Sequence, residues 1–181
     1  MKYFKFSVKQ LVATAIGAAL FFVLARFVSI PVFANTYITF QYAIVGFFAA
    51  VFGPIAGLLI GLIGHALADL SWGWGIWWSW VIASAVVGFL SGFMLKSGAI
   101  EEGEFNKTAI IRFIIGSLIV HAIAWGLVAP GGDIIIYAEP ADKVFVQGLI
   151  AGASNFVITA IVGSLLLFGY SKTRVKSGSL E

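Results

Sequence analysis

The sequence predicts an all-α integral membrane protein, a single bundle of six transmembrane helices with both termini cytoplasmic, placed in the cell membrane. Three observations carry this expectation. Of 181 residues, 61% are hydrophobic and only 10% charged, and the mean hydropathy is +1.04, so there is too little polar material to cover a soluble domain. Long apolar runs are separated by brief segments bearing Gly, Pro, Asn and charge, as expected for successive spans in hydrocarbon. With six spans and the N-terminus inside, Lys2, Lys5, Lys9, Lys96, Lys107, Arg112, Lys172, Arg174 and Lys176 are cytoplasmic, and only Arg26 and Lys143 lie outside, which matches the positive-inside bias.

The spans follow in order. After "MKYFKFSVKQ" comes an apolar run, 11–29, with more long runs behind it and no small-residue cleavage site after Phe27, so it is expected to be a retained span. "IPVFANTYITFQ" brings Pro and Asn into a connecting segment. The tract 42–70 is too long for one simple span. It is divided at Gly53-Pro54, because proline lacks a helix donor and restricts the residue before it. Without that division five spans would remain, and the basic clusters of the two termini would fall on opposite sides. A fourth span covers 77–95 and the polar "KSGAIEEGEFNK" follows. A fifth covers 108–129, "PGGDIIIYAEPADK" is expected to be a loop, and the last covers 144–170, ahead of an exposed polar tail at 171–181. No repeat or composition break divides the chain, so 1–181 is expected to be one domain.

Composition also excludes chemistries. There is no cysteine, hence no disulfide and no thiolate metal or redox site. The net charge of +3 is spread over span ends and termini and forms no nucleic-acid tract. No phosphate-cradling glycine loop followed by Lys-Ser/Thr is present, so ATP would have to be used by another polypeptide. No nucleophile, base and orienting group stand in order, which argues against an enzyme and leaves no catalytic cofactor to expect.

Several stripes carry the functional argument. Gly53, Gly57 and Gly61 recur every fourth residue, with Gly64 and Ala68 beside them, a pattern that lets helices approach closely. Ala15 and Ala19, flanked by Gly17 and Ala18, make a second small stripe, suited to internal packing or to a subunit interface. His65 and Asp69 are i,i+4 neighbours. A hydrogen bond between them could set the imidazole tautomer, or each could meet a ligand separately; two ligands do not complete a metal site. Five of six tryptophans lie between 72 and 80. Trp72, Trp74, Trp77 and Trp78 read as interfacial anchors on a loop bent by Gly73 and Gly75, whereas Trp80 starts an inward face with Ser84, Gly88 and Ser91.

The fifth span carries Ser117, His121 and Trp125, and the sixth Gln147, Asn155 and Thr159, so a pocket shared by the fourth, fifth and sixth spans is weighed against mutual hydrogen bonding. Asn35, Tyr37 and Gln41 on one outer loop, and Asp133, Tyr137 and Glu139 on the other, are placed to cap it. Arg26 is expected to snorkel or to pair with an external acid. The candidate solute-binding set is therefore Asn35, Tyr37, Gln41, His65, Asp69, Trp80, Ser84, His121, Trp125, Gln147 and Asn155.

The stretch "ATAIGAALFFVLARFVSIPVFANTYITFQYAIVGFFAAVFGPIAGLLIGLIGHALADL" followed by "WWSWVIASAVVGFLSGF" resembles the S component, the substrate-binding membrane subunit, of energy-coupling factor vitamin transporters. It resembles in particular the branch that joins "FGPIAGLLIGLIGHALADL" to "WWSWVIAS", and the likeness spans residues 10–170. The resemblance implies six membrane helices and a vitamin bound near the external side beneath the connecting loops. It also implies as partners a transmembrane coupling subunit and two cytoplasmic ATPase subunits. Ala15 and Ala19 match the family's small-xxx-small contact with the coupling subunit, and Ala18 offers an alternative face. Hydroxymethylpyrimidine or a pyridoxine-like ring is the expected solute, with cobalamin an alternative. Two other readings stay open: a self-contained ion-coupled carrier, with His65 and Asp69 as a proton relay, and a structural subunit that binds no solute.

Overall fold

The computed structural model describes residues 7–33, 36–73 and 75–174. Among the described residues six helices form the bundle: α1 Val8–Phe27, α2 Gln41–Phe52, α3 Pro54–Trp72, α4 Trp78–Ser91, α5 Lys107–Tyr137 and α6 Ala141–Lys172. Four of them, α1, α3, α5 and α6, are long and apolar enough to cross a membrane, whereas α2 and α4 are shorter. Leu127, Ile135, Leu149 and Leu165 are among many large apolar side chains on the outside. That surface is suited to lipid, and the chain is a helical membrane protein.

Gly53-Pro54 separates α2 from α3 as the sequence predicts. Gly53 has φ 95°, a value that favours glycine, and Pro54 opens α3, where its missing N–H is not needed. The short α2 is largely buried, with Tyr42, Ala43, Val45, Phe48, Ala49 and Val51 in the core, so most of its surface never meets solvent or lipid. The Nε2 of Gln10 near the start of α1 donates to the carbonyl of Phe52 at 2.7 Å, which brings the first turn of α1 beside the end of α2. Ser7 caps α1 in a capping box with Gln10, and Lys9 pairs with Glu101.

The glycine stripe of α3 packs on α4. A Cβ on Gly57 would lie 2.3 Å from the Gly88 carbonyl oxygen, one on Gly61 2.2 Å from that of Ser84, and one on Gly88 1.9 Å from that of Gly57. These are backbone-to-backbone contacts that no side chain could enter. On α1, Gly17 and Ala18 are buried, whereas Ala15 and Ala19 face outward. Ala18, one of the expected interface residues, therefore belongs to internal packing.

Three expectations are corrected. First, the "IPVFANTYITF" connection forms an antiparallel hairpin, β1 Ser29–Phe33 with β2 Thr36–Thr39, paired Ser29 to Thr39 and Pro31 to Tyr37 with an irregularity before Phe33. Its β-branched and aromatic residues favour extended backbone. Second, Pro130, Gly131, Gly132 and Asp133 do not form a loop but continue α5 to Tyr137. A π turn at Ala124–Val128 leads into the final segment, with Pro130 in its first turn. The looser turn leaves carbonyls that a proline could not have served, and Gly148 of α6 makes room for that of Trp125, since a Cβ there would lie 2.0 Å from the oxygen. Third, α6 reaches Lys172 through its own π turn at Thr159–Gly163, so Ser171 is buried rather than part of an exposed tail. The remainder of that tail, 175–181, lies outside the described residues.

Candidate functional site

A cavity of about 280 Å³ opens at the hairpin end of the bundle. Its aromatic walls are Tyr37 of β2, Tyr42 of α2, Trp72 of α3, Trp77 before α4, and Trp80 of α4. Polar side chains enter between them: Gln41, His65 and Asp69 on one side, Gln147 and Asn155 of α6 on the other, with Glu139 and Lys143 where α6 begins.

Two carboxylates fix the walls. Asp133, 2% exposed, accepts hydrogen bonds from three donors: the indole of Trp77 (2.6 Å) and the hydroxyl of Ser79 on Oδ1, and the indole of Trp80 on Oδ2 (2.8 Å). Asp69 Oδ2 accepts the backbone N–H of Trp77 at 2.9 Å. Trp77 is thus held through its main chain by α3 and through its ring by α5. Tyr137, one turn beyond Asp133, stacks on Trp77 with centroids 4.1 Å apart and accepts the N–H of Trp78 at 2.9 Å. Gly73 and Gly75, at φ 84° and 86°, turn the chain sharply enough to bring these rings inward.

On the opposite wall, Tyr37 stacks on Trp72 at 5.9 Å, and the Arg26 guanidinium lies 4.2 Å from the Trp72 ring centre on α1's side. Arg26 therefore makes a cation–π contact. A polar chain runs inward from Asp69: Oδ1 is 3.5 Å from His65 Nε2, His65 Nδ1 is 2.5 Å from the Ser84 hydroxyl, and Ser84 is 2.8 Å from the Tyr42 hydroxyl. Ser84 carries one proton, which serves either the Trp80 carbonyl at 3.0 Å or His65 Nδ1, and the imidazole tautomer decides which.

The sequence-predicted residues separate into three groups. Tyr37, Gln41, His65, Asp69, Trp80, Gln147 and Asn155 come together around the cavity. Ser84, His121 and Trp125 do not line it. The indole of Trp125 donates to His121 Nδ1 (2.9 Å), His121 Nε2 meets the Thr159 hydroxyl (3.1 Å), and Tyr42 packs edge-on against Trp125 at 5.2 Å. His121 and Trp125 are buried in a layer whose polar atoms serve one another and Thr159, the mutual-bonding alternative weighed for that stripe, whereas Ser84 is buried in the chain between His65 and Tyr42. Asn35 and Trp74 lie outside the described residues.

The site is therefore not shared by the fourth, fifth and sixth helices alone, because α2, α3 and the hairpin supply much of its wall. Trp72 and Trp77, expected as membrane anchors, are wall residues, while Trp78 is half exposed. Lys143 was missed. Its signal was its position four residues after Glu139, to which it bonds at 2.6 Å.

The family described as "ECF-type riboflavin transporter, S component" matches residues 5–172 of the chain. Among similar proteins is a "UPF0397 protein" of Lactococcus lactis subsp. cremoris (strain NZ9000), 48% identical over 176 residues and covering 97% of both chains. Another "UPF0397 protein", from Streptococcus pneumoniae (strain CGSP14), is 46% identical over 178 residues, covering 98% of this chain and 97% of the relative. With a match over nearly its whole length, the chain belongs to the ECF-type riboflavin transporter S-component family, whose members are transporter subunits and not enzymes.

Proposed function

We propose that this protein captures a flat heteroaromatic vitamin or vitamin precursor at its hairpin end and delivers it through an ATP-driven ECF module. That module consists of a transmembrane coupling subunit and two cytoplasmic ATPase subunits. The observation that carries the reading is the cavity itself, about 280 Å³ with aromatic rings on several sides and a few polar groups between them, the form of a small-molecule site. Hydroxymethylpyrimidine and a pyridoxine-like ring are of suitable size and shape, and the flavin ring named in the family's description is a further candidate. A corrinoid is far larger than the cavity and would need the surrounding loops to move apart, so cobalamin is the less favoured alternative.

In this reading all six helices cross the bilayer, with the hairpin end outside and both termini inside, as the basic residues favour. Mass spectrometry of small molecules retained on gentle purification tests the proposal. Stable, emptied protein that binds nothing from a vitamin panel would count decisively against it.

Two expected results follow from this arrangement. Trp72→Ala removes the ring between Tyr37 and Arg26 and should weaken solute binding by about tenfold or more in titration calorimetry, while the thermal transition moves little. Ala19→Trp, on the outward face of α1, should leave solute binding intact and abolish uptake by cells that supply the coupling module. If Ala19→Trp cells transport normally, that face is not the docking surface.

A proton-coupled carrier is the second reading, favoured by the chain from Asp69 through His65 and Ser84 to Tyr42. Accumulation of solute by the purified protein alone in vesicles, under a proton gradient and without ATP, would establish it instead.

A further inference from the structure

The two strands of the hairpin are treated very differently by the rest of the protein. In β2, Thr36 and Thr39 are buried and Tyr37 stacks on Trp72, so this strand is seated on the bundle. In β1, Ile30, Pro31, Val32 and Phe33 are all exposed, Ile30 at 57%. Successive strand residues point to opposite faces, so both faces of β1 are apolar and open. They continue the outward row of α1, where Leu20, Val23 and Phe27 are exposed, Phe27 at 69%.

In water such a strand would be an aggregation site. Exposed edge strands are ordinarily blunted by charge, yet residues 27–68 contain no Asp, Glu, Lys or Arg. The other connection at this end, between α5 and α6, is built for water: Glu139, Asp142 and Lys143 stand there, and Glu139 pairs with Lys143.

Two features set the depth at which β1 can lie. Arg26, three residues before the strand, is drawn over Trp72, 4.2 Å from the ring centre, and a guanidinium beside an indole marks the headgroup level of a bilayer. Among the described residues β1 pairs with β2 and with no other strand. Its open edge cannot enter hydrocarbon, where nothing meets the backbone groups. At the boundary of headgroups and acyl chains both needs are met, since water and headgroups serve the edge while the acyl chains receive the side chains.

We infer that β1, with Phe27 and Val28, docks into the headgroup and acyl-chain boundary of the leaflet at this end. The hairpin is then a lipid-anchored element and not a loop in water. Its inner strand β2, hydrogen-bonded to β1, carries Thr36, Tyr37 and Thr39 on the cavity, so one wall of that cavity is held by the bilayer. This goes beyond the solute-capture reading and holds whichever solute the cavity takes.

The chain has no cysteine, so Val32→Cys accepts a single nitroxide label in the full-length protein without further substitution. Asp142→Cys, at the exposed start of α6, is the aqueous reference. Each labelled protein is placed in nanodiscs of phosphatidylcholine and phosphatidylglycerol. Electron paramagnetic resonance then measures collisions of the label with oxygen, which concentrates in the bilayer, and with a water-soluble nickel chelate. The ratio of oxygen to nickel collisions should be about fivefold or more higher at Val32 than at Asp142, as for a label about 5–10 Å into the boundary.

Nickel access at Val32 equal to that at Asp142 would put the strand in water and overturn the inference. Few collisions with either reagent would mean that protein covers the strand, as in a pairing of two copies, and would overturn it equally. If Val32→Cys loses the wild-type thermal transition, Ile30→Cys is read against the same reference with the same outcomes. No ligand enters the measurement, so solute capture stands or falls separately.

Discussion

Gly88→Ala is expected to destabilise the bundle by about 3 kcal/mol or more, the upper end for overpacking, and to lower the yield of monodisperse protein in detergent. The reason is that the new methyl would lie 1.9 Å from the Gly57 carbonyl oxygen and 2.2 Å from its carbon. A flexible side chain could move aside, but a helix backbone cannot yield without carrying its neighbours. Relief requires α3 and α4 to separate, and that separation also pulls Ser84 away from His65, now 2.5 Å apart. Solute binding should therefore fall even in the fraction that folds. Gly169→Ala is the control. Nothing lies within 4 Å of the Cβ it would add to α6, so it should be neutral or stabilise by about 0.5–1 kcal/mol. Thermal unfolding of the two variants side by side separates close approach from a general intolerance of alanine for glycine.

Asp133→Ala is the second large effect. It leaves the indoles of Trp77 and Trp80 and the hydroxyl of Ser79 without their acceptor. With each stranded donor costing about 1–3 kcal/mol, the expected loss is about 3 kcal/mol or more, together with loss of solute binding as both rings lose their orientation. Asp133→Asn discriminates further. Its carbonyl can serve Trp77 and Ser79, which share Oδ1, but its NH2 then faces the Trp80 indole. Stability should fall less than in the alanine variant, and Trp80→Phe combined with Asp133→Asn should recover part of it. A double-mutant cycle on the thermal transition reads that coupling directly; strict additivity would show that Asp133 does not act through Trp80.

The parts of the fold legible in the sequence are those whose cause is local. Gly53-Pro54 ends one helix and starts the next because of bonds that those two residues can or cannot make. The glycine stripe of α3 marks a close approach because side-chain size alone decides it. Asp133 illustrates the opposite case. Pro130 and two glycines beside it carry the punctuation of a loop, and only the π turn before them and the space at Gly148 keep the chain helical. Likewise, nothing within residues 72–80 tells an anchor tryptophan from a wall tryptophan. The choice is made by a carboxylate 56 positions from Trp77 and 53 from Trp80. His121 and Trp125 were legible as a pair but not as a closed one, because their partner Thr159 comes from the next helix.

The π turns of α5 and α6 act on side-chain direction as an inserted nucleotide acts on a reading frame. One surplus residue leaves everything upstream in place and rotates everything downstream by about 100°. Asp133 reaches the tryptophans only in the shifted frame, so deletion of a single residue within 124–128 would move the carboxylate to a different face without changing any residue at the site. In a lineage of such proteins, the length of this turn is itself heritable information about the pocket, and a change of one codon there alters recognition as surely as a substitution in its wall.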